Sequence, residues 1–169
     1  MLIDDFNHIV DHWIAQLDQY SFDQLCSKPS PNKWSLGQLY LHLLADTNYY
    51  IGQIEICVLS NDNAGGEAAP QARVMLLNND FPDEILEGSP NNALIPQPGS
   101  KEQLRKDLVK LRSDMNNMAD RVSWSSYKGK AKHPGLDYLN ADEWLQLAEM
   151  HFRHHLRQKR RIDEFLKKG

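Results

Sequence analysis

The chain has 169 residues and a mass of 19.5 kDa, the size of one ordinary domain. Apolar residues make up 41% and charged residues 25%, with only 9 Gly and 8 Pro, which excludes collagenous, mucin-like and wholly disordered chains. Its 19 Lys and Arg against 23 Asp and Glu give a net charge of -4, so no global positive field invites nucleic acid.

Cys26 and Cys57 stand outside any Cys-x-x-Cys pattern, which suggests reduced thiols in a cytoplasmic protein rather than a disulfide scaffold or a thiolate metal site. Met1-Leu-Ile-Asp-Asp-Phe6 lacks the basic start and apolar run of a secretory signal, and no stretch of about 18 uncharged apolar residues exists to span a bilayer. The expectation is a cytoplasmic protein with no membrane segment.

The predicted fold is all-α, a four-helix bundle built by the whole of residues 1–169 with a long crossover between its second and third helices. Ile3, Phe6, Val10, Trp13 and Leu17 recur at three- and four-residue steps, which predicts a first helix over about residues 3–19. Ser21-Phe-Asp-Gln24 has capping-box form and starts a short turn that Lys28-Pro-Ser-Pro31 stops. Ser35-Leu-Gly-Gln38 repeats the capping pattern, with Trp34 outside it to pack back on Leu39. The second helix, Leu36 to Leu59, is apolar almost all round and encloses His42.

Residues 60–99 change character, from Ser60-Asn-Asp-Asn-Ala-Gly-Gly66 to Pro96-Gln-Pro-Gly99, with a weak apolar cluster at Val74 to Leu77. Such a crossover is either a lid over a site or a solvated link containing one helical turn. Ser100-Lys-Glu-Gln103 opens a third helix, whose stripe of Leu104, Leu108, Leu111, Met115 and Met118 ends near Arg121. A loop follows from Trp124 to Leu139, containing Lys128-Gly-Lys-Ala-Lys132 and His133-Pro-Gly135. Asn140-Ala-Asp-Glu143 then caps a fourth helix reaching about residue 167.

The seven histidines carry the chemical signal. Two pairs stand four residues apart. His8 and His12 fall roughly 200–240° from Phe6 around the first helix, on its solvated face, and read as surface residues. His151 and His155 fall within about 20° of Trp144 on the fourth helix, on the buried stripe. Two neighbouring imidazoles in a core need partners for their nitrogens, and leucine would avoid that need, so a shared cation is the attractive explanation. Zinc or nickel accepts neutral imidazole, and a catalytic ion takes three protein ligands and keeps one position open. His42 is the best third ligand, with Asp46 one turn on as a carboxylate or water partner. His154 lies at the stripe's edge. The basic run Arg153, Arg157, Lys159, Arg160 and Arg161 complements the helix dipole.

Asn32-Lys-Trp-Ser-Leu-Gly-Gln-Leu-Tyr-Leu-His42-Leu-Leu-Ala-Asp46, followed by Glu149-Met-His151-Phe-Arg-His154-His155-Leu-Arg-Gln158, resembles the DinB/YfiT-like superfamily of metalloenzymes. His133-Pro-Gly-Leu-Asp-Tyr-Leu-Asn-Ala-Asp-Glu-Trp144 resembles an uncharacterised bacterial branch of it. The resemblance implies a bundle with an unusual helix order, often a homodimer, that holds its metal through one His of the second helix and two of the fourth. Those positions are His42, His151 and His155. It also implies either hydrolases or transferases and isomerases that use a low-molecular-weight thiol.

Two functions therefore compete. The first is a metalloenzyme acting on a small-molecule substrate, in which a divalent ion, zinc or nickel, activates water or an external thiol. Asp46 then accepts the proton, and His133 either contacts substrate or caps the fourth helix. The second is a non-catalytic, stress-related metal-binding or dimerisation bundle, in which the histidines hold a structural ion or only hydrogen-bond. Ligand count separates them, since a structural zinc is closed by four protein ligands.

Overall fold

A computed structural model of the chain describes residues 1–82 and 94–169. Along the chain lie α1 (Leu2–Gln16) with a 3-10 turn at Leu17–Gln19, α2 (Phe22–Cys26), α3 (Leu36–Leu59), α4 (Pro70–Asn78) and α5 (Lys101–Trp124). A two-stranded antiparallel sheet, β1 (Ala131–His133) and β2 (Asp137–Leu139), precedes α6 (Ala141–His154) and α7 (Leu156–Lys168). The fold is an all-α bundle, as expected. In it α1 packs beside α5 and α6, and α3 beside those same two helices, so the first two long helices, α1 and α3, face each other across one diagonal and α5 and α6 across the other.

Burial follows the apolar stripes. Phe6, Val10 and Trp13 of α1, Leu39, Tyr40 and Leu43 of α3, Leu104, Leu108, Leu111 and Met115 of α5, and Trp144, Ala148 and Phe152 of α6 are all within 1% of full burial. Trp13 joins three helices: its ring meets Tyr40 at 5.1 Å and Phe152 at 6.2 Å, both edge-on. Its Nε1–H donates to the Phe152 carbonyl at 3.3 Å, and its own carbonyl accepts from the Tyr40 hydroxyl at 2.7 Å. The Trp13 indole N–H and the Tyr40 hydroxyl are thereby paired. Complete capping boxes at Ser21, Ser35 and Asn140 fix where α2, α3 and α6 begin, and Ser100 accepts from the Gln103 amide at the start of α5.

Four expectations need correction. The crossover holds α4, nine residues opened by Pro70 at its first position, rather than a single turn. Of its apolar cluster only Met75 is buried, while Val74 and Leu77 face solvent; the part of the crossover over 83–93 lies outside the described residues. The loop before α6 contains the hairpin, because backbone pairs Ala131 with Leu139 and His133 with Asp137 in strands too short to show a hydrophobic period. The third helix continues to Trp124, and the fourth is interrupted at His155, where ψ of -7° ends α6 before α7 starts.

The hairpin is strapped to the first half of the crossover. Lys130 N–H donates to the Asp62 carbonyl at 2.9 Å, Ala69 N–H to Leu136 at 2.9 Å, and Tyr138 N–H to Glu67 at 3.2 Å. Gly129 sits where a Cβ would collide with the Ser60 carbonyl. A Gly129→Ala variant is expected to lose about 1–3 kcal/mol in urea denaturation, because backbone rather than a flexible side chain would have to move. An unchanged midpoint would show that the strap is slack.

Candidate metal centre

Three helical segments bring the key imidazoles together. His42 projects from the second turn of α3, His151 from the last turn of α6, and His155 from the joint between α6 and α7. His42 and His151 are 5% and 8% exposed, so neither is solvated, and His155 is half-buried. Their Nε2 atoms converge. His151 Nε2 lies 3.1 Å from His42 Nε2 and 3.0 Å from His155 Nε2, and all three nitrogens fall within 4.8 Å of one another. A tetrahedral zinc bound at 2.0–2.1 Å holds its nitrogens roughly 3.3 Å apart, so the spacing suits one shared cation.

The electrostatics agree with the geometry. Burial pushes His42 down to about 4. Burial first, and then the neighbouring His42 charge, push His155 down to about 3, against a Gln158 contact that raises it; the Arg161 charge adds to the lowering. His151 is held well below the usual histidine range by burial and then by His155 and His42. All three are therefore neutral at pH 7, the protonation state that ligates metal. Gln158 Oε1 stands 2.9 Å from His155 Nδ1, which places the proton on Nδ1 and turns the Nε2 lone pair toward the cluster. His42 Nδ1 and His151 Nδ1 are buried and meet no partner among the described residues. These three histidines could hold a metal ion.

Asp46 completes the cluster. Its Oδ2 lies 3.6 Å from His42 Nε2 and 3.7 Å from His151 Nε2, and burial pushes its carboxyl up to about 6. A carboxyl in that range exchanges its proton near neutrality. Trp34 lies with its ring 4.9 Å from the His42 ring and so covers that imidazole.

The cluster faces a cleft of about 1280 Å³. Apolar side chains dominate its wall, among them Trp34, Met75, Phe81, Leu136 and Leu147. His133 belongs to this wall but not to the histidine cluster: its ring is 5.4 Å from Trp144, and its Nδ1 accepts the Gly135 N–H at 3.0 Å. Burial lowers its pKa, so the neutral ring carries its proton on Nε2. His154 also borders the cleft, with its ring 5.1 Å from Phe81. His8 and His12 are exposed, and neither cysteine lines the cleft.

Sequence reasoning did not assign roles to Gln158, Phe81 or Met75. Gln158 was legible in principle, three residues beyond His155 and so on the same helical side. Phe81 and Met75 reach the cleft through tertiary packing alone. α4 is held against α6 by Gln146, which donates to the Leu76 carbonyl at 2.8 Å, and by Arg153, which donates to the Asn79 carbonyl at 2.7 Å.

Fold and site together define a helical bundle with a three-histidine cluster suited to a divalent cation. Residues 11–158 match the DinB superfamily, and the chain belongs to it. No curated protein and no solved structure matches the chain. No helix among the described residues is long and apolar enough to cross a membrane.

Proposed function

We propose that the protein is a metal-dependent enzyme in which His42, His151 and His155 hold a divalent ion, zinc or nickel, and Asp46 accepts a proton from the attacking nucleophile. What supports this reading is the convergence of three neutral imidazole nitrogens at the wall of an open cleft, beside a carboxyl tuned to about 6. A bound ion would supply Lewis acidity that lowers the pKa of water or a thiol toward neutrality. Asp46 Oδ2 takes up that proton, Gln158 fixes the orientation of His155, and Trp34 keeps water off one face of His42. His133 offers its Nε2–H to a substrate polar group.

The cleft is larger than the roughly 300–1000 Å³ that one small ligand needs. That size favours transfer between a low-molecular-weight thiol and a second molecule over hydrolysis of a single substrate. Sulfur has to come from outside, since Cys57 is buried against the Leu139 carbonyl and burial pushes both cysteine thiols up. A structural ion would be closed by a fourth protein ligand; the side of the cluster toward the cleft is open instead.

Metal analysis of the purified protein is expected to return about one divalent ion per chain, and screening is expected to find thiol conjugation rather than ester or amide hydrolysis. A metal-free protein that cannot be loaded overturns the reading. Asp46→Asn is expected to lower kcat by about 10²–10⁴ with metal content unchanged, since the amide accepts no proton. Loss of metal along with activity would make Asp46 a ligand rather than a base.

A further inference from the structure

Apart from its histidines, the cleft has three charged residues among those described: Asp46, Lys33 and Arg161. Asp46 already serves the histidine cluster. The remaining charge is cationic, in a chain whose net charge is -4. The contrast along one helical run is informative. Arg153 pairs with Glu149 at 2.9 Å and Arg157 with Asp80 at 3.7 Å, whereas neither Arg161 nor Lys33 meets a carboxylate among the described residues.

The positions are also set by the scaffold. His155, Gln158 and Arg161 border the same cleft at three-residue steps, which puts Arg161 about 9 Å along the helix axis from His155. Lys33 enters from the opposite part of the chain. Its N–H donates to the Ser30 carbonyl at 3.1 Å, and the next residue is Trp34, whose ring covers His42. The rest of the wall is largely apolar, with Met75, Phe81 and Leu147 on the α4 and α6 side of the cleft. An unpaired guanidinium matches a carboxylate or a phosphate with two parallel N–H donors, and lysine adds a point charge.

We infer that Arg161 and Lys33 are specificity-determining residues that select a substrate with an apolar body and one anionic group, carboxylate or phosphate, held apart from the reacting centre. This rests on the reading of the cleft as the active site. The anionic end binds Arg161 and Lys33, the apolar body lies against the apolar lining of the cleft, and the reactive end is thereby delivered to Asp46 and the histidines.

The test uses the whole protein as purified, with metal content measured on each sample, and three probes of similar body: phenylacetate, phenyl phosphate and neutral phenylacetamide. Calorimetric titration is expected to show at least one of the two anions binding about tenfold or more tighter than the amide. Which anion wins distinguishes the carboxylate source from the phosphate source. Arg161→Gln with Lys33→Gln is expected to bring all three probes to parity while metal content stays at the wild-type value; both side chains are exposed, so folding is not at stake. Arg161→Lys is expected to keep part of the preference. Equal binding of the three probes by the wild type, or an anion preference that survives the double substitution, overturns the inference even when metal is present. A wild type that prefers the anion but cannot be loaded with metal leaves the inference standing and overturns the metal reading alone.

Discussion

His151→Leu is expected to make the metal-free protein more stable by about 1–2 kcal/mol while reducing its affinity for zinc or nickel by at least about a thousandfold. The two effects share one cause. His151 Nε2 sits between the other two nitrogens, at 3.1 and 3.0 Å, so no pair of remaining ligands replaces it at the centre of the cluster. Without an ion the same ring is a burden. It is 8% exposed, its Nδ1 meets no partner among the described residues, and its Nε2 faces two further imidazoles that each have one proton to place. A buried polar group left unpaired costs about 1–3 kcal/mol, and leucine of similar size removes that penalty while adding apolar contact with Tyr50 and Phe81, whose rings lie 6.0 and 6.4 Å from the histidine.

His151→Ala separates packing from polarity. It removes the same nitrogen but leaves a hole beside Tyr50 and Phe81, so it is expected to lower stability where leucine raises it. Urea denaturation in chelator, with a metal titration of each variant, reads both quantities. If leucine destabilises the metal-free protein as much as alanine does, the three imidazoles satisfy one another, and the cluster is a core hydrogen-bond network instead of a metal centre. The expected outcome is a site that is stable only in spite of its function, as functional sites often are.

This tension is also why the centre was legible in the sequence. An amphipathic helix has no local reason to put two imidazoles on its buried stripe, so His151 and His155 stood out against Trp144, Leu147 and Ala148, and His42 stood out in the apolar α3. The long helices were legible for the complementary reason: their stripes and caps agree with the global packing at every level. What was not legible depends on contacts remote in sequence. The hairpin has three-residue strands held by the Asp62 and Glu67 carbonyls and the Ala69 N–H, and no periodicity announces it. α4 has little amphipathic pattern of its own and is positioned by Gln146 and Arg153. The basic run of α7 reads as dipole complement in sequence, yet Lys159 is buried, donating to the Tyr20 hydroxyl at 2.6 Å and to Asp163 at 2.8 Å.

Acid is expected to destabilise the metal-free wild type well above the pH at which ordinary carboxylates protonate. His42 titrates near 6.5 in an unfolded chain and at about 4 in the fold because of burial. Its contribution is therefore complete above pH 6.5 and is lost as the pH falls toward 4, a shift worth about 3 kcal/mol for this residue. His155, pushed down to about 3, and His151, lowered in the same direction, add losses of the same sign over the same window. Asp46 opposes them. Its folded value of about 6 lies above the unfolded one, so the fold holds its proton more tightly and gains stability as the pH falls below 6. One partly exposed carboxyl does not offset two buried imidazoles and a half-buried third. The midpoint in urea is expected to fall between pH 6.5 and 4.5 by the equivalent of about 3 kcal/mol or more. His151→Leu, with one imidazole fewer, is expected to fall less steeply. Metal-loaded wild type is expected to hold its stability further into acid, until protons displace the ion from the same three nitrogens, and the release of metal and the drop in midpoint should then coincide. A flat profile for the metal-free protein across this window would mean that the imidazoles are already solvated, and the dry, convergent cluster on which the proposed chemistry depends would not exist in solution.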